Sequence, residues 1–177
     1  LTSMIAGADV NLPKKDSHGC TPLIIACLKG HTDVVKKLLE ANASVDKAAN
    51  NGATPLIYAC SKGHAEVVTT LIAANANVQH ARNNGDTPLS VACNLGRSLE
   101  VVTTLLAANA EVRRDALFTA CTYGRTEVVT ALLDANADAN RARNNGVTPL
   151  HIACEEGHAE VVAKLLAANA VVDQARD

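Results

Sequence analysis

A tripeptide of threonine, proline and leucine recurs along this chain at a fixed spacing. It begins at residues 21, 54, 87 and 148, so that the first two intervals are 33 residues each (54 − 21 and 87 − 54). A threonine before a proline predicts a helix start, because the residue before proline is held out of the helical region and its hydroxyl can accept from a free backbone N–H. Proline then takes the first helical position, where its missing donor costs nothing. The chain is therefore built from copies of one helix-initiating unit.

Each copy continues into a helix stop and a second helix. In the copy at residue 148, Gly157 ends the first helix, and Glu160, Val161 and Val162 begin a second helix with an apolar stripe. In an earlier copy, Val34, Val35, Leu38 and Leu39 form the same stripe. A cysteine recurs at one place in the unit, at residues 27, 60, 93, 121 and 154. The sequence predicts a series of helix–turn–helix units.

The 33-residue period, the Thr-Pro-Leu-His run at 148–151 and the alanine at Ala153 resemble the ankyrin repeat. The resemblance covers nearly the whole chain. It implies an all-α fold, an ankyrin-repeat α-solenoid of helix–turn–helix units with projecting β-hairpin or loop fingers. It also implies a non-catalytic protein–protein interaction module, a scaffold or adaptor that binds through the concave first-helix face and the fingers.

We expect residues 1–177 to form a single array. A partial repeat at 1–15 precedes five repeats at 16–48, 49–81, 82–114, a shortened 115–141, and 142–175. Because the pattern begins and ends inside a repeat, we expect the chain to be a fragment of a longer protein. A targeting domain of a larger enzyme or channel is therefore an alternative function.

Repeat four is shortened before its first helix. Val78 to Leu89 spans 11 residues, whereas Val112 to Leu117 spans five, and an Asp-Ala pair stands in place of Thr-Pro. The six residues corresponding to Ala81–Asp86 are missing, either because the protein lacks this finger or because the sequence omits a stretch. If the finger is absent, the helix loses its threonine cap, which is typically worth ~1 kcal/mol.

The residue that ends the second helix is an asparagine in five repeats. We expect a left-handed backbone there, because asparagine tolerates it next best after glycine, and Gly7 takes this place in the partial repeat. The five positions are Asn42, Asn75, Asn109, Asn136 and Asn169.

Composition and charge exclude several classes of partner. Aromatic residues make up 2% of the chain, which suits a stack whose layers contact only their neighbours. The net charge of −2 predicts neither nucleic acid nor membrane as a partner. No apolar run approaches the roughly 20 residues that a membrane-spanning helix needs, so we expect no membrane insertion. We expect the isolated fragment to be a monomer.

The cysteines predict a reducing compartment. Stacked helices lie about 8–10 Å apart, whereas a disulfide needs Cα atoms within about 7 Å. We therefore expect five buried, reduced thiols and an intracellular location, cytoplasmic or nuclear.

Cysteine and histidine lie four residues apart in three repeats, which is a metal-ligand spacing. The pairs are Cys27 and His31, Cys60 and His64, and Cys154 and His158. A helix-breaking glycine separates each pair, so we expect the histidine to hold the turn and predict no metal and no cofactor. Because these residues recur as repeat elements and no glycine-rich phosphate loop is present, we predict that the chain is not an enzyme.

The two residues before the helix-ending glycine differ in every repeat. We predict that they form the partner-binding surface, although drift at exposed sites explains the variation equally well. They are Leu28, Lys29, Ser61, Lys62, Asn94, Leu95, Thr122, Tyr123, Glu155 and Glu156. Leu28, Leu95 and Tyr123 are the expected apolar anchors. The position after Thr-Pro-Leu also varies between repeats.

The fingers carry basic residues, and we add Arg82 and Arg143 to the predicted partner-binding set. They favour an acidic protein partner as a further alternative. Aspartates lie in the same segments and no aromatic residues interleave with them for base stacking, so nucleic acid is not favoured. The family usually has an aspartate three residues before the turn glycine. Asp16 keeps it, whereas Ala49, Arg82 and Arg143 do not, so we do not expect its bonding role there.

Overall fold

The computed structural model describes residues 9–13, 18–95 and 98–172, except for the side chains of Leu95 and Arg114. Across these ranges the secondary structure consists of ten α-helices with no β-strand. They are α1 (Pro22–Lys29), α2 (Thr32–Glu40), α3 (Pro55–Lys62), α4 (Ala65–Ala73), α5 (Pro88–Leu95), α6 (Leu99–Ala107), α7 (Arg114–Thr122), α8 (Thr126–Asp134), α9 (Pro149–Glu155) and α10 (Ala159–Ala167). The predicted all-α series of helix–turn–helix repeats is confirmed. None of the helices in the described ranges is both long and apolar enough to cross a membrane.

The chain divides into two compact units, one ending at Pro88 and the other beginning at Leu89. In the first unit, α1 packs against α2 and α3, while α4 packs against α2 and α3. In the second unit, α7 packs against α8 and α9, and α8 lies against both α6 and α10. Within each unit, first helices therefore pack beside first helices and second helices beside second helices.

The first helices begin at the Thr-Pro pairs, as predicted. The hydroxyls of Thr21, Thr54 and Thr148 accept hydrogen bonds from the backbone N–H three residues later, at 3.3, 3.4 and 3.3 Å. Helix α7 begins at Arg114, two residues before the position that corresponds to proline, and its N-cap Arg113 makes no side-chain cap bond. The expected loss of the threonine cap in repeat four is therefore confirmed.

The second helices end at left-handed asparagines, also as predicted. Their φ angles are 61°, 62°, 59°, 62° and 61° at Asn42, Asn75, Asn109, Asn136 and Asn169. Gly7 lies outside the described residues.

None of the six cysteines, all of which lie in the described ranges, forms a disulfide bond, and four of the five repeated ones are buried. Burial raises the pKa of the Cys27, Cys93 and Cys121 thiols to about 12. The expectation of a buried thiol is wrong for Cys154, which is exposed because no described repeat follows to cover α9.

The apolar stripe of α2 is narrower than predicted. Val35 is fully buried, Leu38 and Leu39 are half-buried, and Val34 is 47% exposed. Among the described helices, α2 packs mainly against α1 and α4. Val35 faces these neighbours, whereas Val34 lies largely outside the contact.

Candidate partner-recognition surfaces

The predicted partner-binding pairs lie at the carboxyl ends of the first helices. The exposed members are Lys29, Lys62, Asn94, Tyr123, Glu155 and Glu156. The half-buried members are Leu28, Ser61 and Thr122. The side chain of Leu95 lies outside the described part of the structure. In three repeats, therefore, the first residue of the pair is partly covered and the second faces solvent.

Two of the half-buried members bond to their own helix. The hydroxyl of Ser61 donates to the Tyr58 carbonyl at 2.8 Å, and that of Thr122 donates to the Phe118 carbonyl at 2.9 Å. These hydroxyls are satisfied locally, so the exposed second residue is the one available to a partner.

The position after Thr-Pro-Leu varies for a different reason. Ile24, Ile57 and Phe118 are 0%, 2% and 0% exposed and belong to the core. In repeat five, the Nδ1 atom of His151 accepts from the Thr148 N–H at 3.2 Å and completes a capping box. Variation here changes core packing and helix capping.

The histidines that follow the helix-ending glycines reach the preceding repeat, whereas we expected them to hold their own turn. The Nε2 atom of His64 lies 3.4 Å from the Leu28 carbonyl oxygen, and that of His158 lies 3.1 Å from the Thr122 carbonyl oxygen. Each ring therefore supports the backbone beneath a predicted binding residue of the repeat before it. Among the described residues, no group of three histidine, cysteine or acidic side chains is arranged to hold a metal ion.

The glycine of one repeat makes room for the histidine of the next. A Cβ atom on Gly30 would lie 2.7 Å from the ring of His64, and one on Gly124 would lie 2.6 Å from the ring of His158. At Gly157 no atom lies within 4 Å of the added carbon. The sequence gives no sign of this close contact, because the two residues are 34 positions apart.

The exposed surface differs in charge between the two units. In the first unit, Lys29 and Lys62 lie on the same face as the partly exposed Ile25. In the second unit, Tyr123 is 51% exposed, and Glu155 and Glu156 occupy the ends of the neighbouring first helix.

Both basic finger residues already have partners within the protein. Arg82 forms an ion pair with Asp86, whose carbonyl also accepts from the Arg82 N–H at 3.0 Å. In repeat five Val147 takes the place of that aspartate, and the Arg143 guanidinium lies 4.4 Å from the centre of the Phe118 ring. Their binding role remains a prediction. Asp16 lies outside the described residues.

The fingers of the first unit are joined by backbone bonds. The Asn50 N–H donates to the His18 carbonyl at 2.9 Å, and the Asn83 N–H donates to the Asn51 carbonyl at 3.1 Å. Within one finger, the Ala49 N–H donates to the Ala53 carbonyl at 3.0 Å. The fingers are thus linked turns, without the strands of a β-hairpin.

Side-chain acceptors in three of the connections bond to the next repeat, and sequence reasoning missed them. The bonds run from the Ser44 N–H to Asn11 at 2.8 Å, from the Asn77 N–H to Asp46 at 3.1 Å and from the Val171 N–H to Asn140 at 2.7 Å. The sequence signal is an asparagine or aspartate four residues after the left-handed residue. At the same position repeat three has Arg113, which has no acceptor atom in its side chain.

A family model described as "Ankyrin repeats (3 copies)" matches the chain at residues 1–81, 42–115 and 89–176. Together these matches span almost the entire sequence. Proteins with such repeats are generally protein–protein interaction modules and typically lack catalytic activity of their own. The chain matches no curated protein.

Proposed function

Because this chain belongs to the ankyrin-repeat family, we propose that it is a scaffold or adaptor segment that recognises a protein partner and catalyses no reaction. The partner contacts the exposed carboxyl ends of the first helices and the neighbouring fingers. This surface is the concave face that the family resemblance implies.

One observation carries the proposal. Buried Ala-Cys pairs directly precede the variable residues in four repeats: Ala26 and Cys27, Ala59 and Cys60, Ala92 and Cys93, and Ala120 and Cys121. The same buried pair is thus followed by an exposed lysine in two repeats, by an exposed asparagine in the third and by an exposed tyrosine in the fourth. Exposed side chains that follow a buried Ala-Cys pair can vary with little effect on the core. A recognition surface requires this freedom.

The chemistry of the exposed side chains limits the partner. In the first unit, Lys29 and Lys62 beside Ile25 favour an apolar contact flanked by acidic groups. In the second unit, Tyr123 offers the large amphipathic ring that is common at binding hot spots, and Glu155 and Glu156 favour basic groups around it. Acidic groups on a partner therefore suit the first unit, and basic groups suit the second.

Affinity capture with the purified chain tests this function. One variant carries Ile25→Ser and Tyr123→Ser at first-helix side chains that are 38% and 51% exposed, and a matched control carries Val34→Ser and Leu166→Ser at second-helix side chains that are 47% and 44% exposed. We expect the parent chain and the control to retain the same protein and the first variant to lose it. Circular dichroism checks that all three remain helical. Equal retention by all three chains would refute a role for the first-helix surface.

A further inference from the structure

The acceptor that joins successive repeats is missing after repeat three. In the first unit, both carboxylate oxygens of Asp46 accept from the Asn77 N–H, at 3.1 and 3.2 Å. The equivalent N–H in repeat four belongs to Asp138, and the residue that should accept from it is Arg113. This N–H has no hydrogen-bond acceptor within the described part of the protein.

A cavity of about 110 Å³ lies at this place. Its walls include Arg113, Arg141, Asp138, Phe118 and Pro149. A single water needs roughly 10–15 Å³, so the cavity has room for a small polar group. It lies beside the connection that is six residues shorter than in repeats two, three and five.

Two arginines line the cavity, together with the carboxylate-bearing residue Asp138. Arg113 and Arg141 form no ion pair with any residue in the described ranges, in contrast to Arg82, which is paired with Asp86. The guanidinium of Arg143 covers the Phe118 ring, which forms one wall. Two planar donor groups and one backbone N–H are therefore free to bind an acceptor at one site.

We propose that this cavity binds the carboxylate of a glutamate or aspartate in an acidic segment of a protein partner. The carboxylate accepts from the Asp138 N–H, as Asp46 does from Asn77, and pairs with the guanidinium groups of Arg113 and Arg141. This site is separate from the first-helix surface, so either can fail without the other.

The charges around the cavity favour a carboxylate over a phosphate. Glu111 and Asp115 line an adjoining cavity together with Arg113 and Arg141. These acidic neighbours repel a phosphate group, which carries about −1.5 to −2 charges at neutral pH, more strongly than a carboxylate with a single charge. The carboxylate of Asp138 itself accepts from the Asn140 N–H at 2.9 Å.

The test uses the whole chain and a fluorescein-labelled peptide of alternating glycine and glutamate. A peptide with glutamine in place of glutamate is the matched probe. Fluorescence anisotropy should show binding of the glutamate peptide that weakens as salt is added, and no binding of the glutamine peptide. In the amide NMR spectrum, the Asp138 signal should move on binding while the Asn77 signal, whose acceptor is internal, should not.

Three variants locate the site. Arg113→Asn supplies the internal acceptor that Asn140 provides in the next repeat, and Arg141→Gln removes one positive charge. Each should weaken binding about tenfold, the factor that ~1.4 kcal/mol gives. Lys37→Gln makes the same charge change at an exposed position on α2, outside both proposed surfaces, and should leave peptide affinity unchanged.

Four results would overturn the proposal. They are the absence of binding to the glutamate peptide, equal binding of both peptides, full affinity in the Arg113→Asn chain, and displacement of the peptide by inorganic phosphate more readily than by acetate. The last result would assign the cavity to phosphate groups.

Discussion

At the scale of single residues, the helix-ending glycines serve two purposes. Gly124 has a φ of +62°, which disfavours any residue with a side chain. It also leaves space for the ring of His158, which bonds to the Thr122 carbonyl. Only the first purpose could be read from the sequence, because helix stops are local and the ring contact is not.

Gly124→Ala and Gly157→Ala separate these purposes. Both positions have positive φ, 62° and 74°, so each substitution should cost about 1–2 kcal/mol from backbone strain. Gly124→Ala also pushes a methyl group against His158 and should cost a further ~1–3 kcal/mol. Urea unfolding measures the free energy of unfolding of each variant. Equal losses of stability in Gly124→Ala and Gly157→Ala would contradict a steric contact between Gly124 and the His158 ring.

The buried thiols make a second prediction at this scale. The pKa values of Cys27, Cys93 and Cys121 are raised by burial from 9.0 to about 12. The unfolded chain loses these protons first, so the free energy of unfolding should fall as pH rises from 9 to 12 and should not depend on these thiols below pH 9. Cys93→Ala should make the fall in the free energy of unfolding with pH less steep, by up to about 1.4 kcal/mol per pH unit between pH 9 and 12. Urea unfolding at several pH values measures this.

Thiol labelling provides an independent check. At pH 8 a thiol reagent should modify the exposed Cys154 in the folded chain and reach the four buried thiols only on unfolding. Rapid labelling of Cys93 in the folded chain would show that solvent reaches the core around this thiol.

At the scale of helices, the Thr-Pro pair sets where each first helix begins. Repeat four lacks the pair, and α7 starts two residues early with an uncapped N-terminus at Arg113. Its first turn contains Asp115, which suits the positive end of the helix. Helix α7 is therefore retained by its packing against α8 and α9 without the usual cap.

Substitutions at the two kinds of helix start should act in opposite directions. Thr54→Val removes the hydroxyl that accepts from the Ile57 N–H while keeping the side-chain shape, and it should cost about 1 kcal/mol. Arg113→Thr places a capping residue on an extended backbone with φ −78° and ψ 154°, and it should add about 0.5–1 kcal/mol. Thermal unfolding followed by circular dichroism gives the change in stability for both variants. If Arg113→Thr does not raise the stability, water already satisfies the free backbone N–H groups at the start of α7.

Most of the helical architecture could be predicted because its signals are local. Thr148 with Pro149, the helix-ending Gly157 and the left-handed Asn169 each act within one turn of the chain. The structure differs where a neighbouring repeat decides the outcome. Val34 and Cys154 are apolar or small residues at regular positions, yet both are exposed, because described repeats cover them on one side only.

At the scale of the whole molecule, each repeat is stabilised by its neighbours, so the bonds between repeats determine how cooperatively it unfolds. Asn11, Asp46 and Asn140 provide one such bond each. The family resemblance predicted the stacking of repeats but not these acceptors. It also did not predict the cavity at Arg113, which becomes visible only when the repeats are compared in three dimensions.

Asp46→Ala and Asp46→Asn test this coupling. Loss of the acceptor in Asp46→Ala should lower the free energy of unfolding by about 1 kcal/mol. Asp46→Asn keeps an amide oxygen as acceptor, as at Asn11 and Asn140, so this variant should lose less stability. Urea unfolding of both chains decides the matter, and equal losses would show that charge, not the hydrogen bond, matters at this position.

Successive repeats are joined at two levels, by the helices and by the fingers. Repeats four and five keep the contact between His158 and the Thr122 carbonyl although the connection before α7 is six residues shorter than in repeats two, three and five. The register of the helices therefore does not depend on the length of the finger. In a gene, such fingers are the segments where short deletions and insertions are tolerated, and a protein engineer could graft a foreign loop there while keeping the helical scaffold.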